Sequence, residues 1–314
     1  MKIIVFILIE LVCLACFSEN PRWALTEEIT IPARPDLVVR WETSAKAVPG
    51  KIWIYSVSPR DFSPRMLSNL MTMCSFTEKD ESRRDTNEIV FTSSNGSRSL
   101  SIFLSSGSIR YEAPEHHYGP TNLAEGVPEM AKMPGLTKSF LEMVGIKPSE
   151  IERNTNGAPN FDFWEPFTWY FVHGRTITNI AFRAVVFSRA VDGISIIGDS
   201  GHCGLEFGEH GKISQIHLSW PNLKRFKSFP TLKPQAIAEV IRQGKARQGL
   251  LPDNIGGIDW STVKSITVKD ALPYYFSGPT RCLYPFLLLS TTVDTAHGTV
   301  DVPIECPIID EAGI

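Results

Sequence analysis

Between residues 51 and 57 the chain reads KIWIYSV, large apolar side chains interleaved with polar ones, the pattern of a half-buried strand. Ser58-Pro59 ends the run, and at Ser63-Pro64 the period changes. Ser63 suits a helix cap and Pro64 a first turn, where a missing N–H costs nothing. Met66, Leu67, Leu70, Met71 and Cys74 then recur every three or four positions, which predicts a helix with one buried face. Charged residues 78–87 read as a loop. Strands follow over 88–92, 98–104 and 109–111, the last two joined through Ser105-Ser106-Gly107-Ser108, whose glycine supplies the positive φ of a tight hairpin. A second helix is expected over 136–146 and a loop over 147–160. Beyond 161 the pattern is strand-rich, with strands over 168–173, 180–189, 193–197, 201–207 and 213–220. A third helix, 235–244, puts positions 236, 237, 240 and 241 on one face, and strands near 263–268, 283–292 and 299–304 follow it.

The pattern repeats itself once. Residues 102–109, IFLSSGSI, can be laid on residues 205–213, LEFGEHGKI, so that Gly107 falls near Gly211 and Ile109 near Ile213. Both read as an apolar strand, a polar tip, a glycine, a polar residue and an isoleucine. One unit built twice is the architecture this echo suggests.

At 314 residues the chain can bury one large core or two of ordinary size. Its 43% hydrophobic and 21% charged content is that of a globular protein, and a net charge of −3 gives no basic face for nucleic acid. The cluster Lys224-Arg225-Phe226-Lys227 reads as a solvated loop. Residues 1–18, MKIIVFILIELVCLACFS, carry one Lys before an apolar run of roughly fifteen residues, which fits an export signal better than a full membrane span. Two exits are open: cleavage near Cys16-Phe17-Ser18, or lipid attachment at Cys16. Membrane association would run only through this N-terminus, if it stays uncleaved or is lipidated. Residues 19–48 read as a polar leader. Loss of residues 1–18 removes Lys2 and Glu10, leaving 30 − 33 = −3 and the four cysteines Cys74, Cys203, Cys282 and Cys306. Cys282 and Cys306, on the two arms of a terminal hairpin, are the candidate disulfide, and Cys74 reads as a buried thiol.

Residues 201–213, GHCGLEFGEHGKI, gather His202, Cys203, Glu206, Glu209 and His210. On a strand, Cys203, Leu205 and Phe207 face a core while His202 and Glu206 face away. His210, at the hairpin tip, lies about 17 Å from His202 at ~3.3 Å per residue, too far for ligands of one zinc ion. His202 and Glu206 remain as metal candidates, with His116 and His117 as partners from a loop. No CxxC pair, HExxH helix, GxGxxG turn or nucleophile elbow accompanies them, so polar decoration of a hairpin is the preferred reading. No catalytic residue, metal or cofactor is expected. The stretch FDFWEPFTWYF, 161–171, holds seven aromatics in eleven positions. Core packing is the preferred reading, with Trp164, Trp169 and Tyr170 as a stacking surface for a sugar or peptide the other.

The order of elements resembles a known family. KIWIYSV, SPRMLSNLMTMCSF, EIVFTSS, RSLSIFLSSGSIRYE and LTKSFLEMVGI, and again GLEFGEHGKISQIHLSW, KPQAIAEVIRQGK, SITVKDALPYY and LYPFLLLS, look like the extracytoplasmic PepSY-like domains and the Yyc-type regulators of membrane histidine kinases. The resemblance implies an α+β fold of two PepSY-like repeats, residues 49–160 and 161–314, with antiparallel β-sheets each packed on a helix. It also implies a binding module, regulatory or inhibitory, rather than a catalyst. The chain departs from the Yyc-type regulators in lacking a clear full-length anchor helix at its start. The expectation is an exported, non-enzymatic protein of the cell envelope that binds a protein or peptide. A metal-assisted hydrolase and a structural envelope lipoprotein are the alternatives.

Overall fold

The computed structural model describes residues 29–42, 48–113, 125–172, 175–198, 200–249, 258–277 and 282–309, and over 167–179 the backbone alone. In chain order, β1 (Ile29–Thr30), β2 (Val38–Trp41) and β3 (Lys51–Ser58) precede helix α1 (Pro64–Met73). Then come β4 (Glu81–Arg84), β5 (Glu88–Thr92), β6 (Ser99–Phe103), β7 (Ser108–Glu112) and helix α2 (Met133–Met143). A strand-rich stretch follows: β8 (Asp162–Trp164), β9 (Phe167–Val172), β10 (Arg175–Ile180), β11 (Arg183–Ser188), β12 (Ala190–Val191) and β13 (Ile194–Gly198). It continues through β14 (His202–Phe207), β15 (Ile213–Ser219) and β16 (Asn222–Pro230) to helix α3 (Pro234–Arg242). The chain ends with β17 (Arg247–Gln248), β18 (Ser265–Ser277), β19 (Cys282–Thr295) and β20 (Gly298–Pro307). The fold is therefore mixed α and β, with strands in the majority and open sheets.

Two compact units divide the chain, residues 56–224 in one and residues 1–55 with 225–314 in the other. The expected boundary near residue 160 is corrected. Strands from both sides of it share one eight-stranded sheet, ordered β4-β5-β6-β7-β15-β14-β11-β8. Its two halves meet at the β7–β15 ladder, where Tyr111 stands opposite Ile216 and Ile109 opposite Leu218. Each half is one helix followed by a four-strand antiparallel meander, and the second is interrupted by the β9–β10 and β12–β13 hairpins. The glycines that echo in the sequence close the equivalent hairpins, Gly107 at φ 68 and Gly211 at φ 72.

Both helices supply the core on one face of this sheet. Leu70 and Cys74 from α1 and its cap, and Phe140, Leu141 and Val144 from α2 and its cap, pack with Phe91, Leu100, Ile102, Ile109, Tyr111, Leu205, Ile216 and Leu218. Each such large apolar side chain contributes about 1.5–3 kcal/mol by leaving water. Ser63 caps α1 by accepting from the Met66 N–H at 3.2 Å. A Cβ on Gly107 would lie 2.6 Å from the Arg60 Cβ, so only glycine allows the loop to close there. Arg60 reaches the carbonyls of Val144, at the C-cap of α2, and Trp220, where a cation also suits the helix dipole.

Glu150 ties three segments of the same unit. Its Oε2 accepts from Arg189 at 2.9 Å and from the Trp220 indole N–H at 3.0 Å, while the Arg189 guanidinium lies 5.2 Å from the centre of the Trp220 ring. Burial pulls the Arg189 guanidinium down to about 10, against the opposing pull of Glu150.

The other unit is built on the β18–β19–β20 meander, with β17 and then β1 continuing from β20. Residues 29–41, expected in a leader, belong to the fold. β2 runs parallel to β18, with Val39 opposite Ile266, and Ile31 and Leu37 are buried. The turn between them packs on α3, since Arg34 N donates to the Arg242 carbonyl at 2.8 Å and Arg242 Nε to the Leu37 carbonyl at 2.9 Å. Ile237, Ala238 and Ile241 form the buried face of α3.

Two segments expected as loops are strands. Residues 81–84 form β4, carried by its ladder to β5 and by the Arg84–Glu81 and Arg83–Glu88 ion pairs. Residues 222–230 form β16, paired with β3. Neither has an apolar period, so pairing to a neighbour decides both. No helix among the described residues is long and apolar enough to cross a membrane.

Candidate functional site

His202 and Glu206 share the face of β14 opposite to Cys203, Leu205 and Phe207, as the alternation predicts, but that face is covered. His202 is 8% exposed and Glu206 1%, and every residue of β14 is buried. Four residues apart on one strand, their backbones are about 13 Å apart, beyond the span of one zinc site. Glu206 instead accepts from the Ser214 hydroxyl at 3.5 Å.

The residue that meets His202 is His217. The β14–β15 register sets Ser219 opposite His202 and Gly204 opposite His217, so the histidines are diagonal neighbours. Their Nε2 atoms are 3.5 Å apart and their rings meet edge to face at 4.7 Å. Burial is the first cause that drives His202 down to about 3, reinforced by His217 and opposed by a hydrogen bond with the Gly198 backbone. His217 is lowered by burial and by Arg110, its register partner on β7, with Glu112 pulling the other way. Two neutral imidazoles in this contact can share one Nε2–H···Nε2 hydrogen bond, one ring donating and the other accepting, whereas adding a proton to either would be expensive in this buried setting. Sequence reasoning missed this pair, although a hairpin centred on residues 210 and 211 already places His217 diagonal to His202.

The remaining candidates are dispersed. His116, His117 and Cys16 lie outside the described residues, as do the side chains of Trp169 and Tyr170. Among the described residues no group of three or more His, Cys, Asp or Glu side chains could hold a metal ion. In the aromatic stretch, Phe161 meets Phe163 at 6.0 Å and Phe187 at 5.4 Å, packed against the core, and Trp164 is 37% exposed. The Cys282–Cys306 pairing is corrected: Cys306 stands opposite Leu287, and Cys282 is five residues further along β19. That is roughly 17 Å along a strand, where a disulfide needs Cα atoms within about 7 Å. The turn lies at Thr295 and Gly298, so the two cysteines are unequally distant from it. Burial pushes the Cys306 thiol up to about 12.

A different surface stands out in the unit formed by residues 1–55 and 225–314. Among the described residues β16 pairs with β3 and with no other strand, which leaves it at the margin of its sheet. Trp53 of β3 lies under two cations, Arg225 at 5.2 Å and Lys51 at 5.6 Å from the ring centre. Arg225 Nε also donates to the Tyr55 hydroxyl at 3.4 Å. Tyr55 is itself held edge-on against Tyr275 at 5.4 Å. Lys227 sits 4.7 Å from the centre of the Phe229 ring, and Phe226 between these cations is 68% exposed. Each cation–π contact at such a site contributes about 0.5–1 kcal/mol and holds the charge in place. Among the described residues no strand pairs with the other side of β16, where the Phe226 ring is exposed.

No family model matches the chain, and no curated protein matches it. It is similar to the chain in a crystal structure of an uncharacterized protein from Eubacterium rectale ATCC 33656, with 12% identity, 90% of each chain covered and a TM-score of 0.45. Nothing about activity or fold is carried over from that likeness.

Proposed function

We propose that this is an exported, non-enzymatic protein of the cell envelope that binds an extended segment of a protein or peptide by strand addition at β16. The single observation that carries this reading is an edge strand nine residues long that presents Phe226 at 68% exposure. An exposed sheet edge supplies affinity through main-chain hydrogen bonds and specificity through alternate side chains. An apolar ring left in water on such an edge is otherwise an aggregation hazard, which a partner strand removes. The helix-plus-meander halves of residues 56–224 support a PepSY-like kinship on element order, and the apolar start of the chain supports export.

The test is selection of peptides from a displayed library on the full chain, followed by amide hydrogen exchange of the complexes. Peptides that slow exchange in β16 support strand addition. Selected peptides that leave β16 unprotected refute it.

A further inference from the structure

We infer that Asn156 is a site of intramolecular deamidation, at which the folded chain converts its own asparagine to isoaspartate and aspartate. The inference is independent of the strand-addition reading. The chain holds two Asn-Gly dipeptides, Asn95-Gly96 and Asn156-Gly157. In such a pair the glycine nitrogen can attack the preceding side-chain amide, because no Cβ on the glycine shields it. A bond forms between that nitrogen and Cγ, the Cγ–NH2 bond breaks, and ammonia leaves with the proton the nitrogen gives up. Water, the only co-reactant, then opens the cyclic imide. Attack at the main-chain carbonyl gives isoaspartate, and attack at the side-chain carbonyl gives aspartate.

The two turns match in backbone. Gly96 has φ 71 and its N–H donates to the Ser93 carbonyl at 2.8 Å, while Gly157 has φ 78 and its N–H donates to the Asn154 carbonyl at 2.9 Å. The side chains separate them. Asn95 Oδ1 accepts from the Ser93 hydroxyl at 2.8 Å, the Ser97 hydroxyl at 2.9 Å and the Ser97 N–H at 3.1 Å. These bonds must break before Cγ can swing onto the Gly96 nitrogen. Asn156 is exposed, and among the described residues only its backbone N–H is engaged, donating to Asn154 Oδ1 at 3.0 Å. Its amide is therefore free to turn toward the Gly157 nitrogen. Asn154 is no competitor, because its Oδ1 is held by the Asn156 and Ala158 N–H groups and β-branched Thr155 follows it. The tip carrying Asn156 stands on the Arg153–Pro159 bridge, and the Arg153 guanidinium donates to the Gly157 carbonyl. A cation there favours the negative charge that grows on the glycine nitrogen as its proton leaves.

The experiment incubates the full chain at mildly alkaline pH, folded and in urea, and follows both dipeptides by digestion and mass spectrometry. Enzymatic methylation of isoaspartate is the second readout. In urea the two sites should react at similar rates, since the local sequence is then all that acts. In the folded chain Asn156 should react about tenfold faster than Asn95. Ser93→Ala/Ser97→Ala should raise the Asn95 rate toward that of Asn156 while circular dichroism stays unchanged, and Asn156→Gln should remove the isoaspartate from its peptide. Equal rates in the folded chain, or a faster Asn95, would overturn the assignment. So would an Asn156 that reacts in urea and stays intact in the fold, because the Gly157 N–H bond would then be what protects it.

Discussion

At the scale of the residue, burial sets the chemistry. His202 is held near 3 against an ordinary value of 6.5, so the fold favours its neutral form. Between those values the unfolded chain binds a proton that the folded chain does not, and stability falls as pH drops. The contribution is whole above about pH 6.5 and is lost progressively toward pH 3, on the order of 5 kcal/mol in all. His217, lowered for the same first reason, acts in the same direction. Melting temperature followed from pH 7.5 down to pH 4 should therefore decline steeply in the native chain and less steeply in His202→Gln. Equal slopes would show that the imidazole is hydrated in the fold. The cysteines follow a similar logic. Cys74 and Cys203 are raised by burial and serve as packing volume, a role the helical and strand patterns around them already announce.

At the scale of the element, what holds a segment in place is often a single polar group. Glu150 joins the end of β11 to the end of β15 by accepting from both Arg189 and Trp220. Its removal leaves a guanidinium with 9% side-chain exposure and an indole N–H to find other partners. Glu150→Ala should cost roughly 3 kcal/mol in urea unfolding, and Glu150→Gln, whose amide oxygen still accepts, distinctly less. A loss within a few tenths for both would mean that water replaces the carboxylate without penalty. Elements of regular period were legible before folding: α1 and its Ser63 cap, the face of α3, and the hairpins closed by Gly107 and Gly211. β16 was not. Lys, Arg and Lys around one Phe carry no period, and the segment becomes a strand because β3 lies beside it.

At the scale of the whole molecule, residues 56–224 form a continuous stretch with its own core, whereas the other unit needs chain from both sides of it. A fragment of residues 56–224 should therefore fold alone and melt cooperatively by circular dichroism. A fragment of residues 225–314 should not, because it lacks β2 for the ladder to β18 and β3 for the ladder to β19. A cooperative transition in the second and none in the first would reverse the division.

The sequence by itself determined the periodic elements, their caps and turns, and the echo between two hairpins, because these depend on neighbours within a few residues. It also placed His202 and Glu206 on the face away from Cys203. Only the tertiary structure decided the rest. Register put Leu287 rather than Cys282 opposite Cys306, and set His217 beside His202. Pairing between distant strands joined the two meanders at β7 and β15 and drew residues 29–30 and 38–41 into a sheet. Among the described residues it also left β16 paired with β3 alone. Such contacts join residues separated by tens to hundreds of positions, where side-chain pattern carries no record of which strand will lie alongside.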